Sequence, residues 1–122
     1  MSKTIMIVDD SATLRQVVSI ALKGAGYDVL EAGDGRQALA LLDGRKISLI
    51  ISDVNMPNMD GLTFVSEAKK LAAYRFTPII MLTTEAGADK KAQGQAAGAK
   101  AWVVKPFQPQ QMLAAVAKLV MP

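Results

Sequence analysis

The chain has 122 residues, of which 51% are hydrophobic, and a net charge of +3, enough for one well-packed domain. It has no cysteine and no histidine, which excludes a disulfide framework, a thiolate site and a phosphohistidine of its own, and removes the usual zinc ligand and general base. No apolar run nears the roughly 18 residues that span a bilayer, and Lys and Arg form nothing longer than the pairs Arg45-Lys46, Lys69-Lys70 and Lys90-Lys91, so a cytoplasmic protein with no membrane or nucleic-acid partner is expected, with at most a weak preference for acidic surfaces.

Five apolar runs alternate with amphipathic stretches. The first, Thr4–Val8, holds Ile5-Met6-Ile7-Val8 without a polar break. Ser11 then stands where an N-cap belongs, and Leu14, Val17, Val18, Ala21, Leu22 and Ala25 form one helical stripe that runs out at Gly24 and Gly26. The second run, Asp28–Ala32, is more polar and suits an edge strand. A short helix follows over Asp34–Asp43, carrying Ala38, Leu39 and Leu42. Ser48–Ser52 is the third run. Leu62, Val65, Ala68 and Ala72 mark a helix after the turn Asp60-Gly61. The fourth run is Pro78–Leu82. The stretch from Gly87 to Gly98 is the weakest helix, because Gly94 inside it costs about 1 kcal/mol against alanine. The fifth run is Ala101–Val104, and Pro109 opens a last helix with Leu113, Val116, Ala117 and Val120.

Uninterrupted apolar strands are buried on both faces, as in a parallel sheet covered by helices. Five strands alternating with five helices therefore spell an α/β, doubly wound (βα)5 fold. A single domain over residues 1–122 with no output domain is expected, since the chain ends soon after its last helix.

In an open parallel sheet, ligands bind past the carboxyl ends of the strands. Asp9 and Asp10 follow the first run, Asp53 the third, Thr83 the fourth and Lys105 the fifth; the second contributes nothing comparable. Each residue alone has an ordinary reading: a helix cap for Asp9-Asp10, a turn for Asp53, a strand end for Thr83, a surface lysine for Lys105. Together they have one chemistry. Carboxylates in contact range repel one another unless a cation intervenes, and an all-oxygen set suits Mg²⁺, or Mn²⁺ in its place, over zinc. Lys105 supplies a compact positive charge and Thr83 a hydroxyl for phosphoryl oxygens. Such a site transfers a phosphoryl group to aspartate.

These residues also carry a resemblance. Val8-Asp9-Asp10-Ser11, Asp53-Val54-Asn55-Met56-Pro57-Asn58-Met59-Asp60-Gly61, Leu82-Thr83-Thr84-Glu85 and Val103-Val104-Lys105-Pro106-Phe107 resemble the motifs of the receiver domains of two-component response regulators. In length and motif the chain is most similar to the single-domain, CheY-like chemotaxis regulators, and the resemblance runs from about Thr4 to Val120. It implies a flavodoxin-like strand order 2-1-3-4-5. It implies Asp53 as phosphoacceptor, Asp9, Asp10 and Asp53 with the carbonyl of Asn55 as ligands of Mg²⁺, and Thr83 and Lys105 as partners of the phosphoryl group. Lys105-Pro106 would be a cis peptide. Trp102 stands where the family has a switch Tyr or Phe; its indole N–H needs a partner when buried, which implies a partial inward swing or a wider inner pocket, and the alternative is a half-buried surface aromatic. Asn55 and Glu85 flank the path of an attacking water and imply an acyl phosphate lasting seconds to minutes. Thr84, larger than the family's usual residue there, implies slower phosphorylation from small donors.

The resemblance further implies a chemotaxis-type sensor histidine kinase as donor, a flagellar motor switch protein or other docking target, in some systems a phosphatase, and a monomer without external turnover. Lys90, Lys91, Lys100 and Trp102 fall on the implied output surface. The rival readings are a phosphate sink or phosphorelay intermediate and, from another class, a small Mg²⁺-dependent phosphatase. Asp53-Val54-Asn55 lacks the second aspartate such enzymes use as general acid. A flavin site is disfavoured by the carboxylates.

Overall fold

The computed structural model of the chain describes residues 3–54, 56, 58–83, 98–104 and 108–120. In chain order it shows β1 (Thr4–Val8), α1 (Ala12–Gly24), β2 (Asp28–Ala32), α2 (Gly35–Leu41), β3 (Leu49–Asp53), α3 (Gly61–Lys70), a 3-10 turn (Ala72–Tyr74), β4 (Ile79–Thr83), β5 (Ala101–Val104) and α4 (Pro109–Leu119). The strands form one sheet in the order β2-β1-β3-β4-β5, with every pair parallel. The doubly wound architecture and its strand order are therefore as the sequence implied, with Asp28–Ala32 at an edge. The helix expected from Gly87 to Gly98 lies, but for Gly98, outside the described residues.

Side chains of a strand alternate between faces, and this divides the core in two. Met6, Val8, Ile50, Ile79 and Met81 face α2 and α3, packing with Ala38, Phe64, Val65 and Ala68. Ile5, Ile7, Leu49, Ile51, Ile80 and Leu82 face α1 and α4, packing with Val18, Leu22, Met112 and Val116. Apart from Ser52, which is fully buried and donates from Oγ to the Asp53 carbonyl at 3.0 Å, the strand positions in the centre of the sheet are apolar because helices cover both faces. That is why the strands read as unbroken apolar runs. β3 and β4 each extend one residue past their runs, because Asp53 still pairs opposite Leu82 and Thr83 opposite Val104.

Caps set the helix starts. The side chains of Ser11, Asp34 and Asp60 accept the backbone N–H of Leu14, Gln37 and Thr63, respectively. α1 ends in a Schellman arrangement: Gly26 adopts φ +97, Tyr27 N–H donates to the Leu22 carbonyl at 3.1 Å and Gly26 N–H to that of Lys23 at 3.0 Å. The stripe on α1 is narrower than its six apolar positions suggested. Val18 and Leu22 are buried, whereas Val17 is 48% exposed, as is the neighbouring Ile20 at 64%, because the sheet and α4 reach only one side of the helix. On α3 the anchor is Phe64, fully buried and outside the stripe read from the sequence, while Ala72 falls in the exposed 3-10 turn.

Tyr74 closes the end of the molecule opposite the carboxyl ends of the strands. Its ring is buried, its hydroxyl accepts the Gly44 N–H at 2.9 Å and donates to the Arg45 carbonyl at 2.8 Å. One phenol thus satisfies two backbone groups of the loop between α2 and β3. Tyr74→Phe leaves both without that partner, and the expected loss is about 1–3 kcal/mol in urea unfolding, with the midpoint lowered and the slope unchanged.

Candidate functional site

The carboxyl ends of β1 and β3 are neighbours in the sheet, so the residues that leave them share one rim. Asp9 is fully buried, yet its backbone N–H still bonds the Ala32 carbonyl of β2 at 3.1 Å. Its Oδ1 accepts the Ser11 N–H at 2.9 Å, a local turn that fixes the carboxylate before α1 begins. Asp10 beside it is exposed. Asp53, 6% exposed, is the last residue of β3. One carboxylate oxygen from each of Asp9, Asp10 and Asp53 can be chosen so that all three lie within 4.8 Å of one another. At such separations two unit charges repel by about 4 kcal/mol at an effective dielectric of 20. A hard divalent cation with oxygen ligands relieves that repulsion and fits this donor set.

Close packing holds the backbone of Asp53. A Cβ on Gly61 would sit 1.9 Å from the Asp53 carbonyl oxygen, so only glycine lets the start of α3 come this near. The Gly61 N–H donates to the Val54 carbonyl at 2.7 Å, and the Val54 N–H to that of Leu82 at 2.9 Å. The Asp60-Gly61 turn seen in the sequence thus packs against the Asp53 backbone as well as starting a helix.

Of the other residues expected at the site, Thr83 ends β4 beside β5. Asn55, Thr84, Glu85, Lys105 and Pro106, with the cis peptide implied for Lys105-Pro106, lie outside the described residues, as do Lys90 and Lys91. Trp102 lies in β5 opposite Met81, half-buried against the α2–α3 core. Its indole Nε1 is buried and has no hydrogen-bond partner among the described residues. The half-buried alternative describes its burial, but the N–H lacks the partner such a ring normally finds.

Three residues went unnoticed in the sequence. Arg15, in the first turn of α1, donates from Nη1 to the Asp9 carbonyl at 2.5 Å and pairs through Nε with Glu31 of β2 at 3.3 Å. Asp34, after β2, is 7% exposed and accepts the Asn58 side-chain amide at 2.9 Å. Asn58 follows Asp53 by a few residues and has φ +68. The edge strand, which had offered nothing comparable, therefore sends a buried carboxylate to the rim. The i, i+3 spacing of Asp34 and Gln37 announces a cap, but nothing local announces a partner 24 residues away.

A family model for the response regulator receiver domain matches residues 5–117. Chemotaxis protein CheY1 of Helicobacter pylori is 40% identical over 108 residues, covering 87% of each protein. The phosphate regulon transcriptional regulatory protein PhoB of Pseudomonas aeruginosa is 40% identical over 112 residues, 92% of this chain; the chain spans about half of PhoB's length (49%). Among solved structures, chemotaxis protein CheY4 of Vibrio cholerae superposes with a TM-score of 0.94 at 46% identity, covering 98% of this chain and 99% of that one.

Gly61→Ala is expected to push the backbone at Asp53 aside. The urea midpoint should fall by the equivalent of about 2 kcal/mol or more, and Mg²⁺ binding measured by calorimetry should weaken in the fraction that still folds. A second expectation concerns acid. Asp34 is held below the usual carboxylate range, first by the Gln37 N–H and then by the Asn58 amide. Its folded pKa lies below its unfolded one, so its contribution to stability is complete above about pH 4 and is lost as the pH falls through the lowered value. Asp34→Asn should flatten the acid limb of a stability-against-pH curve.

Proposed function

The chain belongs to the response regulator receiver family, and from that premise we propose that it works as a phosphorylation switch whose acceptor is Asp53. The observation that carries this reading is the meeting of Asp9, Asp10 and Asp53 within 4.8 Å at the carboxyl end of the sheet. The phosphoryl donor is a histidine of a partner kinase, since this chain has no histidine. An Asp53 carboxylate oxygen attacks phosphorus in line as the N–P bond breaks, leaving an acyl phosphate here and a neutral imidazole on the donor.

Asp9, Asp10 and Asp53, with the Asn55 carbonyl, would hold Mg²⁺, which when bound neutralises charge on the transferred group. The remaining steps belong to the chain's own groups. The Ser11 N–H and Arg15 fix Asp9, and the α3 start fixes Asp53. Lys105 would balance a second phosphoryl oxygen and Thr83 would donate to a third. Thr83 and Trp102 then relay the change to the β4–β5 side, where docking to a target transmits it.

The likeness to CheY1 and CheY4 supports a chemotaxis role, with a flagellar motor switch protein as target. Asn55 and Glu85 support an acyl phosphate lived in seconds to minutes. No turnover of external substrates belongs to this reading. The test is Mg²⁺-dependent labelling by a chemotaxis-type histidine kinase with radioactive ATP. Wild type should take up label and lose it within minutes, and Asp53→Asn should take up none. Equal labelling of the Asn variant would remove Asp53 as acceptor, and a label that persists for hours would refute the short lifetime.

A further inference from the structure

Two consecutive residues after β2 meet two consecutive residues after β3. Asp34 Oδ1 accepts the Gln37 N–H at 2.9 Å, and Oδ2 accepts the Asn58 side-chain amide at 2.9 Å. Next along, Gly35 packs against Met59 so tightly that a Cβ on residue 35 would lie 2.9 Å from the Met59 Cγ. Because the sheet order is β2-β1-β3 at this edge, the two contacts join the strands on either side of β1, from whose end Asp9 and Asp10 emerge.

Helix capping does not account for the arrangement. Ser11 and Asp60 cap α1 and α3 with one hydrogen bond each, to Leu14 and Thr63. Asp34 caps α2 in the same way with Oδ1, which leaves the bond from Oδ2 unexplained by the helix. Asn58 is the only non-glycine residue with positive φ among the described residues. Asparagine is among the few side chains that tolerate this region, and here the conformation accompanies an amide directed at a buried carboxylate. Asn58 also lies in the segment between Asp53 and α3, the segment that begins at one member of the acidic cluster.

We propose that the Asp34–Asn58 bond and the Gly35–Met59 contact are a clasp that holds the segment after Asp53 in register with Asp9 and Asp10, and so sets the affinity of the acidic cluster for Mg²⁺. The proposal rests on the cation-site reading above. Asp34 and Asn58 act as positioning residues, since neither belongs to the cluster itself. Partners that orient metal ligands from outside typically change affinity by about 10–100-fold when removed.

The test uses the full chain and three variants: Asn58→Gly, which keeps a backbone tolerant of positive φ but deletes the amide; Asp34→Asn; and the exchange Asp34→Asn with Asn58→Asp, which rebuilds the bond with donor and acceptor reversed. Mg²⁺ affinity is measured by calorimetry, and hydrogen exchange of the amides between residues 54 and 60 is followed in metal-free protein. Asn58→Gly should bind Mg²⁺ about 10-fold more weakly and exchange faster in that segment. The exchanged pair should recover most of both. Unchanged affinity and exchange in Asn58→Gly would overturn the clasp, as would an exchanged pair no better than the single variants. If wild type binds no Mg²⁺, the cation-site reading fails, and with it the affinity role of the clasp. Faster exchange in Asn58→Gly would then show that the mechanical tie alone survives.

Discussion

A parallel strand cannot turn straight into its neighbour. It must return across a face of the sheet, and here it does so through helices on both faces. This constraint governs the rest of the molecule. Both faces are covered, so the central strand positions, Ile5 to Val8, Leu49 to Ile51 and Ile79 to Leu82, are fully buried and have to be apolar. Polar chemistry is pushed to the strand ends, where chains leave the sheet. The acidic cluster is thus a product of topology: β1 and β3 are adjacent in space although most of a βαβαβ passage separates them in sequence, and Asp9 and Asp53 meet because both strands end on the same rim.

The same constraint sorts charge. All strands run one way and the helices run back, so every helix C-terminus lies at the end opposite the acidic rim. Lys23, Lys69, Lys70 and Lys118 occupy last helical turns there, complementing the helix dipoles. Lys3, Lys46, Arg75 and Lys100 stand just before β1, β3, β4 and β5 at that same end. Asp9, Asp10, Asp34, Asp53 and Asp60 gather at the other. Most of the described cations, which look dispersed along the chain, are collected by the fold at this end; Arg15 and Arg36, in the first turns of α1 and α2, are at the rim. Composition alone could not separate a uniformly solvated surface from this polarised one.

The elements themselves were legible because each obeys a local rule. Unbroken apolar runs gave the strands, Ser11 and Pro109 marked helix starts, and Gly26 marked a stop. The clustering of Asp9, Asp10 and Asp53 was legible because strand ends are legible. What escaped depends on distances the sequence does not contain. Phe64 is the α3 anchor because a helix start pressed onto the Asp53 carbonyl rotates that side chain into the core. Val17 is half exposed because it lines the open groove between α1 and the start of α4, with Pro109 and Leu113, and is not buried beneath them. Asp34 and Asn58 find each other only once β2 and β3 are known to flank β1. A local rule would have announced Asp34 as a cap of α2, but not the use of its second carboxylate oxygen, which accepts the Asn58 amide.

Trp102 shows how an unmet bond bears on switching. A buried N–H without an acceptor costs about 1–3 kcal/mol, and among the described residues the Trp102 indole has none, in a strand otherwise well paired to β4. Any alternative conformer that brings the N–H to water or to a carbonyl recovers part of this cost. The gap between the two conformers is narrowed by the same amount. A ligand shifts a two-state equilibrium only by its differential affinity for the states, and a 1:99 to 99:1 reversal takes about 5.5 kcal/mol. On the proposed reading, the unusual aromatic lowers the threshold of the switch, and the N–H that packs badly at rest is the part of the residue that matters.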